Sequence, residues 1–148
     1  MNTTIPAPIQ VSPGSELIFI AHARGFQIYV CRAEGWVLKA PEALLYDQQG
    51  NVIGRHFAGP IWQHNDGSQI SAKMAAKVDA PDPAAIPWLL LNVIGHSDEG
   101  VFNQIISIQR INTIGGLPPS TFCAESNRDS EFKSPYSADY YFYAATRS

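Results

Sequence analysis

Apolar residues fall along this chain in short runs punctuated by turn chemistry. Residues 17–21, 25–31 and 36–39 are rich in β-branched and aromatic side chains, the composition of strands. Residues 43–47, 52–57 and 60–64 follow, and Asn65-Asp66-Gly67 is the strongest hairpin signal in the chain. Residues 68–78 then read as a long strand with some alternation. After a break rich in Asp and Pro at 79–85, the apolar run 88–94 fits a buried strand or a short helix by periodicity alone. Its brevity and its neighbours favour a strand. Residues 101–113 resume the β pattern, 115–128 read as a loop with Gly-Gly and Pro-Pro, and 136–145 close the chain as an aromatic strand. The expectation is an all-β fold: one antiparallel sandwich or partly closed barrel of nine or ten short strands. Residues 1–14, with Pro6, Pro8 and Pro13, are expected to form an extended arm, and 15–148 the single β domain.

Length and composition fit one domain. The chain has 148 residues, 45% hydrophobic and only 16% charged, which excludes a disordered or coiled-coil protein. A net charge of −3 leaves no electrostatic footprint for a nucleic-acid partner. No apolar run reaches the roughly 20 residues of a membrane-spanning helix, so no membrane partner is expected. The first residues lack both the basic and the apolar regions of a secretory signal. Either the protein stays in the cytoplasm, or it is secreted or periplasmic and its leader has been removed.

The densest cluster of chemically versatile residues is Arg55-His56-Phe57-Ala58-Gly59-Pro60-Ile61-Trp62 with Asp66-Gly67-Ser68. If a Gly-Pro corner joins two strands, His56 and Trp62 share a parity and line one surface. A histidine there can act as acid, base or ligand, and a tryptophan beside it gives a stacking face. In the structural alternative, Trp62 is core and His56 bonds a backbone carbonyl. Arg110 lies inside an apolar strand and must pair with a carboxylate such as Asp66, Asp139 or Glu42, or else clamp an anion. The terminal strand places Tyr141 and Tyr143 as candidate walls of a pocket.

No metal site is expected, because His22, His56, His64 and His96 show no HxH or HExxH spacing. Neither a serine nucleophile elbow nor a phosphate-binding loop is present, and no cofactor is expected. Cys31 and Cys123 are either one long-range disulfide or two buried reduced thiols.

In order along the chain, Gly25-Phe26-Gln27-Ile28-Tyr29-Val30-Cys31, His56-Phe57-Ala58-Gly59-Pro60-Ile61-Trp62, Asp66-Gly67-Ser68 and Ile86-Pro87-Trp88-Leu89-Leu90-Leu91 are followed by Gln109 to Gly116, Cys123 and Tyr136 to Tyr143. Over residues 15–145 this set resembles the domain-of-unknown-function family 3455 of bacteria and fungi. The resemblance brings no established activity and no catalytic residue. Its members often carry signal peptides, which implies the Cys31–Cys123 bridge.

Three functions compete at this point. The first is a binding module for a sugar or other small organic molecule, with His56, Trp62, Arg110, Tyr141 and Tyr143 around a pocket. The second is a cofactor-independent lyase, cyclase or isomerase with His56 as general acid/base, Asp66 orienting it and Arg110 stabilising negative charge. The third is a structural domain without a pocket, a homo-oligomer joined through sheet edges.

Overall fold

The computed structural model describes residues 4–146. Eight strands form one antiparallel sheet: β1 (Ser15–Arg32), β2 (Gly35–Tyr46), β3 (Val52–Phe57), β4 (Ile61–His64), β5 (Gln69–Val78), β6 (Trp88–Ser97), β7 (Ile105–Gly115) and β8 (Glu131–Ala145). Each strand pairs with the next in sequence, and β8 returns to β1 from Ser15↔Ala145 to Val30↔Glu131. The sheet therefore closes into a ring, made irregular by register shifts in the β1–β2, β1–β8, β2–β3, β5–β6 and β7–β8 pairs. Every strand has a partner on each side, but closure is partial: residues 35–42 of β2 and 72–78 of β5 have no ladder partner among the described residues on the sides where β3 and β4 are short.

The ten apolar runs of the sequence become eight strands because two apparent breaks are not turns. His22-Ala23-Arg24 lies inside β1 and Ala40-Pro41-Glu42 inside β2, with Gln27 paired to Pro41. Ala21 and Ala23 are buried while Arg24 is exposed, so these polar residues mark the outer face of a continuous strand. A second difference lies at Val101–Gln104, expected as strand and found as one 3₁₀ turn. Asp66 explains it: its Oδ2 accepts the Val101 N–H at 2.8 Å, and its Oδ1 accepts the Ser68 hydroxyl at 2.7 Å.

Gly25 lets the backbone of β2 come close to β1. A Cβ at this position would lie 2.1 Å from the Glu42 carbonyl oxygen and 2.6 Å from the Ala43 Cα, and backbone cannot step aside. Gly25→Ala is expected to cost about 3 kcal/mol, the upper end of the overpacking range, read as a lower urea midpoint. Gly95→Ala, which meets only the Ser71 hydroxyl, is the control and should cost far less. Equal losses at the two positions would refute the close approach at Gly25.

One end of the ring is plugged by Phe19, Phe102 and Phe142, with ring centroids 4.6–5.6 Å apart. Phe102 rides on the 3₁₀ turn that Asp66 and Ser68 hold, since its N–H also bonds the Ser68 hydroxyl at 3.2 Å. Outside the ring, the N-terminal arm crosses β5 to β7. Ile9 is fully buried there against Trp88 and Ile111, and the Gln109 side chain donates to the Ile9 carbonyl at 2.9 Å. Cys31, in the last turn of β1, is disulfide-bonded to Cys123 in the β7–β8 connection, with Cα atoms 5.6 Å apart.

Candidate functional site

The end of the ring away from the phenylalanine plug is built on the corner between β3 and β4, where the Gly59–Pro60 peptide is cis. Short strands on either side put His56 and Trp62 directly opposite each other, both pointing inward. Their rings stack with centroids 4.1 Å apart and 18° between planes. Tyr140 arrives from β8 and meets both edge-on, at 5.3 and 5.6 Å. These three aromatic residues are 4%, 1% and 1% exposed and form a closed floor. The Tyr140 hydroxyl bonds the Tyr136 hydroxyl at 3.2 Å.

Above that floor is a cavity of about 420 Å³. Ala72, Leu89 and Leu91 supply apolar wall. Leu38, Met74 and Ile94 stand at its rim, each more than half exposed. Polar character enters through Gln27, Arg110 and Lys73, and no carboxylate lines the cavity. Arg110 is half-buried and directs Nε and Nη2 at the Pro87 carbonyl, 3.1 and 2.8 Å away. Among the described residues no carboxylate pairs with it.

Burial holds the His56 pKa down to about 3; its hydrogen bond to Ile61 resists the fall and the Arg110 charge adds to it. The ring is therefore neutral at physiological pH. Its Nδ1 sits 2.9 Å from the Ile61 carbonyl, which can only accept, so Nδ1 carries the proton and Nε2 keeps a lone pair. Burial likewise raises the pKa values of Tyr136 and Tyr140, with Arg110 opposing, so both hydroxyls stay protonated. Two buried polar atoms of the lining have no hydrogen-bond partner among the described residues: Trp62 Nε1, a donor, and Gln27 Oε1, an acceptor.

Of the residues marked in the sequence, the fold brings His56, Trp62 and Arg110 together at this cavity. Asp66 lies at the opposite end of the β3–β4 hairpin, bound to Ser68 and Val101, and the group that orients His56 is the Ile61 carbonyl. Arg110 pairs with none of Asp66, Asp139 or Glu42; Asp139 instead bonds His22 at 2.6 Å and Asn112 at 2.8 Å. Tyr141 and Tyr143 face outward. Tyr141 packs on the Ile9–Trp88–Ile111 cluster, and the Tyr143 hydroxyl donates to Gln109 at 2.7 Å, so both support the N-terminal arm. The inward tyrosine is Tyr140, one position off in the alternation, and β8 parity was the signal available for it. Gln27, a lone amide among apolar neighbours in β1, was also legible as an anomaly. Among the described residues no three His, Cys, Asp or Glu side chains gather as a metal site.

No curated protein and no solved structure matches this chain. One family model does, over residues 12–144: the chain belongs to the family described as protein of unknown function, DUF3455.

Proposed function

We propose that the domain binds a small organic molecule with a planar or apolar body in the ring cavity, seated on His56, Trp62 and Tyr140. The observation that carries this reading is the pair of unpartnered atoms in the lining, Trp62 Nε1 and Gln27 Oε1, each on a residue no more than 3% exposed. A buried polar group without a partner costs about 1–3 kcal/mol, and a ligand offering one acceptor and one donor removes that cost twice. The volume is in the range of small-molecule sites, and the lining is mainly hydrophobic with a few convergent polar groups.

Binding fits the electrostatics better than acid–base catalysis. A histidine whose pKa sits near 3 is too weak a base to take protons efficiently at neutral pH, and Asp66 is too distant to raise it. His56 Nε2 serves instead as a fixed acceptor. A wall of Leu, Ala, Met and Ile also suits an apolar ligand better than a bare sugar. The Cys31–Cys123 disulfide supports a secreted or periplasmic setting for this binding. No helix is long and apolar enough to cross a membrane among the described residues.

The test is a titration with uncharged bicyclic lactones and lactams, coumarin among them, followed by the indole N–H signals in a nitrogen–proton correlation spectrum. The Trp62 signal should move downfield as its N–H gains an acceptor. Two internal references should stay still: Trp36, whose indole already donates to Thr121, and Trp88, which is buried under the arm. A panel that leaves all three signals in place, or moves them alike, sinks the reading.

A further inference from the structure

We infer that the ligand of this cavity is an organic anion, a carboxylate whose head binds Arg110 and whose apolar body lies on the aromatic floor. This rests on the binding reading above and names the chemical class that the site selects.

Arg110 has no counter-charge among the described residues. An arginine placed in an apolar strand ordinarily finds a carboxylate, since leaving a guanidinium partly desolvated and unpaired is costly. Among the described residues, three Lys or Arg side chains pair with carboxylates and two histidines contact aspartates, and none of these contacts includes Arg110. Among the described residues the guanidinium's backbone partner is a neutral carbonyl, that of Pro87, which occupies the Nε–Nη2 edge of the fork. The remaining N–H groups are more than the Tyr140 hydroxyl can use. A carboxylate is the group that a guanidinium fork matches in both charge and shape.

The rest of the lining has the same sign. Lys73 is the other charged residue of the cavity, and no Asp or Glu lines it, in a chain whose acids outnumber its Lys and Arg by 13 to 10. A cavity with low-dielectric walls and cations alone concentrates an anion and repels a cation. The apolar walls and the exposed apolar rim of Leu38, Met74 and Ile94 call for a hydrophobic body on that anion. Inorganic phosphate or sulfate would leave the aromatic floor uncovered.

Phenylbutanoate and its uncharged amide, phenylbutanamide, share the ring and chain and differ in the head group. Both are titrated into the intact protein and followed at the Trp62 indole signal. The acid is expected to bind about tenfold or more tightly than the amide, the value of one charged hydrogen bond. Arg110→Gln should erase that preference while leaving amide binding in place. Lys73→Gln, at an exposed position that the fold does not need, should reduce the preference in part and increase its insensitivity to salt. Equal affinity of acid and amide in the wild-type protein would overturn the anion while the binding reading stands. If neither compound nor the lactones move Trp62, the cavity is no binding site and the anion falls with it.

Discussion

Lowering the pH from 6.5 to about 4 is expected to remove about 3 kcal/mol of folding stability through His56 alone. In the unfolded chain this imidazole titrates at its ordinary 6.5; in the ring it stays neutral down to about 3. Below 6.5 the unfolded state takes up a proton that the folded state refuses. The His56 contribution is thus whole well above 6.5, declines as the pH falls, and has lost roughly 4 kcal/mol by pH 3. Asp66 acts in a lower window. Its hydrogen bonds, the Ser68 hydroxyl first, hold its pKa to about 2, so its stabilisation is present above 3.8 and disappears between 3.8 and 2. A urea-unfolding series between pH 8 and 4 therefore separates His56 from Asp66. His56→Gln, which can keep a donor toward Ile61, should start less stable and show a much flatter dependence on pH. A variant with the wild-type slope would mean that His56 is protonated in the folded protein.

Replacing both Cys31 and Cys123 by alanine is expected to cost about 4 kcal/mol, because the bridge closes a sequence separation of 92 residues in the unfolded chain. Other bonds hold the two ends of the β7–β8 connection, Gly116 to Pro135 and Asp129 and Ser130 to Cys31, while its middle is held by the Trp36 indole donating to the Thr121 carbonyl and the Ser134 hydroxyl to the Leu117 carbonyl. Both thiols would be buried on reduction, so the loss is one of chain constraint more than of packing. The check is the urea midpoint of the double variant beside that of wild-type protein in dithiothreitol. The two should agree with each other and fall well below the oxidised protein. Coincident midpoints for reduced and oxidised protein would show that the bridge adds nothing to stability.

Much of this architecture was legible in the residues, and the parts that were not have physical causes. Alternation and turn chemistry identify strand material almost throughout, because a half-buried strand must place small or apolar residues on every second position. The same rule hides strand length. His22 and Arg24 end an apolar run in the sequence and yet only decorate the outside of β1. Whether β8 reaches back to β1 is invisible locally, since nothing within either segment records a partner more than a hundred residues away. At the site, His56 and Trp62 could be joined by parity across one hairpin. Tyr140, Gln27 and Arg110 reach the same cavity only through ring closure, and the aromatic character of Tyr141 and Tyr143 does not tell which face of β8 they take. Asp66 is near His56 in sequence, and the hairpin turns that nearness into distance: the two residues stand at its opposite ends.

The seam between β1 and β8 has a consequence for how the molecule is made. Its two strands begin at Ser15 and Glu131, so ring closure is the contact of highest sequence separation and waits for the last segment to emerge. Until then the first seven strands are an open meander with two raw edges, the arrangement that recruits strands from other chains. Cys123 precedes β8, and its bond to Cys31 brings the incoming strand beside its partner. In an oxidising environment this shortens the interval during which a nascent chain can aggregate, whereas under reducing conditions the yield of folded protein should fall along with its stability.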